Sequence, residues 1–123
     1  MSPLVTSLLV AAGGGMGALA RFWIGVAGMA VSPAFPLATL FVNVVGGVLI
    51  GWIGSSMWAT PMVRAALMSG FLGGFTTFST FSLEVVRMVE EGRVGRAALY
   101  IGLSVFLAIG GAAIGVGLSR TTS

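Results

Sequence analysis

Gly70-Phe71-Leu72-Gly73-Gly74-Phe75-Thr76-Thr77-Phe78-Ser79-Thr80-Phe81-Ser82 decides how the rest of the chain is read. The stretch lies inside an apolar segment long enough to cross a membrane. It nevertheless opens with three glycines in five residues and continues with five hydroxyl residues set among phenylalanines. Glycine costs roughly 1 kcal/mol relative to alanine inside a helix. In the hydrocarbon core, interrupted backbone persists only where protein buries it or where it lines a polar cavity. The stretch therefore predicts a helix break at Gly73-Gly74 beside a pathway through the bilayer. Beyond it, Phe78 and Phe81 share one helical face, while Thr77, Thr80 and Glu84 form a polar stripe.

The composition around this stretch agrees with a lipid setting. Of 123 residues, 57% are hydrophobic and 7% charged, against about 25% charged in a soluble domain. The length suits a single transmembrane domain over 1–123. There is no Cys, His, Lys or Asp, which removes thiol chemistry and most general bases, nucleophiles and metal ligands. No hydrolytic triad, phosphate loop or dinucleotide fingerprint occurs, so an enzyme is not expected. Nor is a nucleic-acid partner, because the six arginines form no basic cluster. Ala18-Leu19-Ala20 has the form of a signal-peptidase site, but residues 2–20 carry no Lys or Arg, so cleavage there is not expected.

A span needs about 20 apolar residues. The prolines of Ser32-Pro33-Ala34-Phe35-Pro36 mark the first turn, and Pro61 marks the start of the third helix. The chain thus predicts an all-α membrane protein of four transmembrane helices, over about 4–28, 37–57, 62–91 and 97–118, with the third broken mid-membrane. Gly13 and Gly17, Gly47 and Gly51, and Gly111 and Gly115 each recur at a spacing of four, which lets helix backbones approach closely. Thr39 and Asn43 share a face of helix 2. Asn43, the only side-chain amide in the chain, reads either as an interhelical hydrogen bond or as a pore-lining donor. Arg21, near the end of helix 1, either snorkels to the headgroups or sets the potential near an anion entrance. Trp52 and Trp58 suit a membrane interface, Glu90 to Arg96 reads as an aqueous loop, and Ser119 to Ser123 as a frayed tail. Arg64 and Arg120 fall on one side of the membrane and Arg21, Arg93 and Arg96 on the other. This imbalance is too small to impose one orientation.

Two copies inserted in opposite directions supply the inverted symmetry on which secondary transporters are built. The groups near the break are mostly donors: Asn43, Ser and Thr hydroxyls, and Tyr100. Phenylalanine ring edges add the positive end of the ring quadrupole. These suit a small anion, whereas free carbonyls at the end of a half-helix suit a cation. The residues alone do not choose the anion.

Gly70 to Ser82 closely resembles the hallmark of the Fluc (CrcB-type) fluoride channels. Gly14-Gly15-Met16-Gly17-Ala18-Leu19-Ala20-Arg21 and Thr39-Leu40-Phe41-Val42-Asn43 resemble that family's other two motifs, in the same order. The resemblance implies an antiparallel dual-topology homodimer in the cell (inner) membrane, multi-pass, with fluoride ion leaving passively through two pores. It implies a pore lined by Asn43, Thr77, Phe78, Ser79, Thr80, Phe81, Tyr100 and Ser104, with Arg21 and Glu84 acting at the vestibule. It also implies a structural Na+, not transported, held by the main-chain carbonyls of Gly73 and Thr76. Ala38, Gly47 and Ala108 depart from residues common in relatives. The alternative is a small dual-topology exporter coupling proton entry to cation or drug export. Such proteins rely on a membrane-embedded Glu early in the chain, and helix 1 has none.

Overall fold

Helix α1 (Pro3–Val31) opens where the Ser2 hydroxyl accepts the Val5 N–H at 3.2 Å and Pro3 fills the first turn. It stops at Ser32, directly before Pro33, because the residue ahead of a proline is driven out of helical geometry. The computed structural model describes residues 2–122, and they are helical with no strand among them. Helix α2 (Leu37–Ser55) leads to a turn tied by one side chain. Arg64 donates from Nε to the Ala59 carbonyl and from Nη1 to the Gly54 carbonyl, each at 2.9 Å. The helical stretch α3 covers 61–75. It begins as an α-turn at Pro61–Val63, widens to π-helical winding over Arg64–Leu72, and closes as α at Gly73–Phe75. After an interruption come α4 (Ser79–Glu90) and α5 (Val94–Thr122). The turn between α4 and α5 uses Gly92 at φ 77°, a left-handed conformation that favours glycine. Helices α1, α2 and α5 are long and apolar enough to cross a membrane.

The helices pack in two parallel pairs, α1 with α3 and α2 with α5. A methyl group added at Gly13 would meet Ala66 and Phe71, and one at Gly17 would meet Phe71 and Phe75. Contact numbers rise together along α1 and α3, so the two run the same way. Gly51 faces Ala112 and Gly115 faces Val48 and Trp52, which repeats the arrangement between α2 and α5. Lipid offers no hydrophobic force to press helices together, so close backbone approach and dispersion hold such pairs. The spacings read from the glycines are thus the seams of the fold. Few large side chains are fully buried; Tyr100, Leu72 and Val42 are the largest. Many Leu, Val, Ile and Phe side chains face outward, as lipid-facing helices require.

Three expectations need correction. The break does not fall at Gly73-Gly74, which stay helical; it falls at Thr76 to Phe78, where Thr76 is extended at φ −89° and ψ 157°. Glycine at 74 serves packing instead, since a methyl there would collide with Gly14 and Ala18 of α1. The tail is not frayed through Thr122, and Ser123 lies outside the described residues. Helix α5 continues to Thr122, whose hydroxyl accepts the Trp52 indole N–H at 2.9 Å. The aqueous loop shrinks to residues 91–93, with Val94 to Arg96 already in α5.

Candidate functional site at the helix break

The main chain at the break is held by side chains from two neighbouring helices. Asn43 of α2 donates from Nδ2 to the Thr77 carbonyl at 3.0 Å and accepts the Thr77 N–H on Oδ1 at 2.9 Å. The amide thus replaces the helical partners that Thr77 has lost, satisfying both of its main-chain groups. Arg21 of α1 donates from Nε to the Gly74 carbonyl at 3.1 Å. A cation there opposes the negative C-terminal end of α3. The Thr77 hydroxyl accepts the Thr80 N–H at 3.2 Å and caps the first turn of α4. The two readings of Asn43 and of Arg21 merge: both bind main chain at the break while standing beside a cavity.

Two cavities meet at Thr77. The first is a groove of about 410 Å³ along α2, α3, α4 and α5, open on one side. It is largely apolar and gathers Asn43, Gly73, Thr76, Thr77, Phe78, Phe81 and Ser104. Phe78 lies on its open flank with 79% of its surface exposed. The Phe78 and Phe81 ring centroids are 5.7 Å apart, and Phe81 in turn lies 5.0 Å from Tyr100. Ser104 is buried, and its Oγ has no hydrogen-bond partner. An unpartnered buried hydroxyl needs a reason, and here it borders the groove.

The second cavity, of about 560 Å³, is a more polar vestibule between the α1–α2 turn and α4. Arg21, Thr77, Thr80, Glu84, Arg87 and Arg93 line it. Glu84 accepts the Tyr100 hydroxyl at 2.9 Å, and Tyr100 has no exposed surface. Glu84 is therefore half-buried and anchored to the bundle at the wall of the vestibule. Arg93 and Glu91 approach to 3.7 Å, an exposed pair worth little.

The site residues expected from sequence thus divide between the two cavities. Ser79 and Tyr100 line neither; Ser79 is exposed, with its Oγ 3.4 Å from the Thr77 hydroxyl. Tyr100 touches the site through Phe81 and Glu84 rather than lining a cavity. Arg87 and Arg93 in the vestibule were missed. The available signal was Arg87, one helical turn beyond Glu84. Gly46 was missed too: a methyl there would collide with Thr76, so glycine lets the break lie against α2. Among the described residues no group of three or more acidic, His or Cys side chains could hold a metal.

Apolar spans, backbone-to-backbone seams and a break cradled by polar side chains define a multi-pass helical membrane protein. Its family model is CrcB-like protein, Camphor Resistance (CrcB), which matches residues 8–116. The chain belongs to the CrcB-like family. It is 51% identical to the fluoride-specific ion channel FluC of Rhodospirillum centenum over 93% of this chain and 94% of the relative. It is 46% identical to the protein of that name from Rhodopseudomonas palustris, over 94% and 98%. The FluC of Cereibacter sphaeroides is 47% identical over 95% and 97%.

Proposed function

We propose that the chain forms a fluoride-specific channel that lets F− leave the cell passively down its gradient. The observation that carries this reading is the one-sided groove, where Phe78, Phe81, Thr77, Asn43 and Ser104 converge beside the break. Ring edges of Phe78 and Phe81 offer positive electrostatic potential without a formal charge. Asn43 has one amide hydrogen beyond the one on Thr77, and the Ser104 hydroxyl is uncommitted. Such donors replace part of the hydration shell of a small anion. Arginines 21, 87 and 93 outnumber the two vestibule glutamates and raise the local anion concentration. The relatives named as fluoride-specific channels favour F− over other small anions.

The open flank of the groove and the exposed Phe78 favour a second copy as its missing wall. The near balance of arginines across the membrane favours the opposite orientation for that copy, giving an antiparallel homodimer in the inner membrane. Gly73 and Thr76 border the groove at the negative end of α3, and main-chain oxygen suits a hard monovalent cation. These residues fit a structural Na+, which would supply a fixed positive charge between the paired breaks.

Fluoride efflux from proteoliposomes, read with a fluoride electrode, tests the proposal. Wild-type protein should release F− but not Cl−. Phe81→Ile should assemble normally and release none. Wild-type efflux from Phe81→Ile removes that ring from the pathway, and a wild-type protein that passes no F− ends the proposal.

A further inference from the structure

Four main-chain acceptors near the end of α3 meet three different fates. In an α-helix the carbonyl of residue i accepts the N–H of residue i+4. Leu72 keeps its partner, the Thr76 N–H at 3.0 Å, and also accepts the Thr76 hydroxyl at 2.8 Å. Gly74 loses the Phe78 N–H and receives Arg21 instead. Gly73 loses the Thr77 N–H, which Asn43 Oδ1 takes at 2.9 Å. Thr76 loses the Thr80 N–H, which Thr77 Oγ1 takes at 3.2 Å. Among the described residues no donor reaches the Gly73 or Thr76 oxygen, and these two residues border the groove.

We propose that Asn43 and Thr77 are positioning residues which strip the Gly73 and Thr76 carbonyls of their helical N–H partners and so reserve them for a monovalent cation. This rests on the sodium-dependent channel reading and adds the side chains that create its cation ligands. Neither side chain needs to touch the ion. Each works by engaging a main-chain N–H that would otherwise close the helix across the break. An unpaired main-chain oxygen away from water is unfavourable, so both positions favour a positive occupant. Ser104, with its buried unpartnered hydroxyl on the same groove, independently marks this region as built for something polar. Gly46 completes the device by leaving room for Thr76 against α2.

The test uses the purified full-length protein in detergent, titrated with NaCl at constant ionic strength. The readout is the shift of its thermal midpoint, with Na+-dependent fluoride efflux measured in parallel. Thr77→Val removes the hydroxyl and releases the Thr80 N–H to Thr76. Its apparent Na+ affinity should fall about 10- to 100-fold, as when a supporting partner of a metal ligand is lost. Thr77→Ser keeps the acceptor and should restore wild-type affinity. Asn43→Leu should weaken Na+ similarly; should it fail to fold, the Thr77 pair still decides. Wild-type Na+ affinity in Thr77→Val overturns the inference. A wild-type protein that conducts F− with no Na+-dependent shift refutes the sodium reading itself, and the inference with it. A Na+-dependent shift without fluoride conduction refutes the channel reading but leaves the Thr77 comparison decisive for the carbonyls.

Discussion

Replacing one glycine at a time in Gly13-Gly14-Gly15-Met16-Gly17 separates a helix seam from a lipid-facing surface. At Gly17 a new methyl would collide with the Phe71 carbonyl oxygen and lie 2.9 Å from both the Phe71 carbonyl carbon and the Phe75 nitrogen. These are main-chain atoms and cannot rotate aside. Relieving the collision with the Phe71 oxygen requires α1 to retreat from α3 by about an ångström or more. Forcing extra methyl volume into a packed seam costs about 1–3 kcal/mol. At Gly15 nothing lies within 4 Å, so alanine there keeps only the helix gain of up to about 1 kcal/mol. Both variants share that gain, so their difference isolates the seam. Gly17→Ala should fall below Gly15→Ala by about 1–3 kcal/mol, or several degrees in thermal midpoint. Arg21 lies one turn beyond Gly17, so the same retreat should loosen its 3.1 Å bond to Gly74. Equal stability of the two variants in detergent would refute the parallel packing of α1 on α3.

Arg21→Ala removes the donor on the Gly74 carbonyl. It should cost about 1–2 kcal/mol, below the full range for charged hydrogen bonds because the bond is only partly buried; thermal melts check it. Tyr100→Phe leaves Glu84 without its donor inside the bundle. It should lower stability by about 1–3 kcal/mol while the isosteric ring keeps its contacts with Phe35 and Phe81. Unchanged melting of Tyr100→Phe would mean that Glu84 is served by water.

The helical plan was legible because lipid imposes it: long uncharged runs, prolines at the turns, and glycines four apart that became seams; three of the four expected spans are unbroken helices long and apolar enough to cross a membrane. The break was legible in kind but misplaced by a few residues. Glycine has two meanings in a membrane helix, freedom and thinness, and Gly74 uses the second. What interrupts the helix is Asn43, which comes from 34 positions away and outbids Gly73 for one N–H. No local pattern around Thr77 announces that competition, although a lone amide facing an apolar bundle was the clue. The π-helical winding of Arg64–Leu72 left no mark that period or composition could reveal. The pairing of Phe78 with Phe81 followed from helical spacing and the place of Ser104 beside them only from the family resemblance, whereas the anchoring of Glu84 by Tyr100 depends on how α4 lies against α5.

The pairing of α1 with α3 sets a timetable for biosynthesis. The notches at Gly13 and Gly17 accept a partner that lies about fifty residues downstream. At about 5–20 residues per second, several seconds of synthesis separate the first helix from the partner that fills those notches. Helix α2 is made in that interval and does not face those notches, so both main interhelical joints, α1 with α3 and α2 with α5, wait for segments synthesised later.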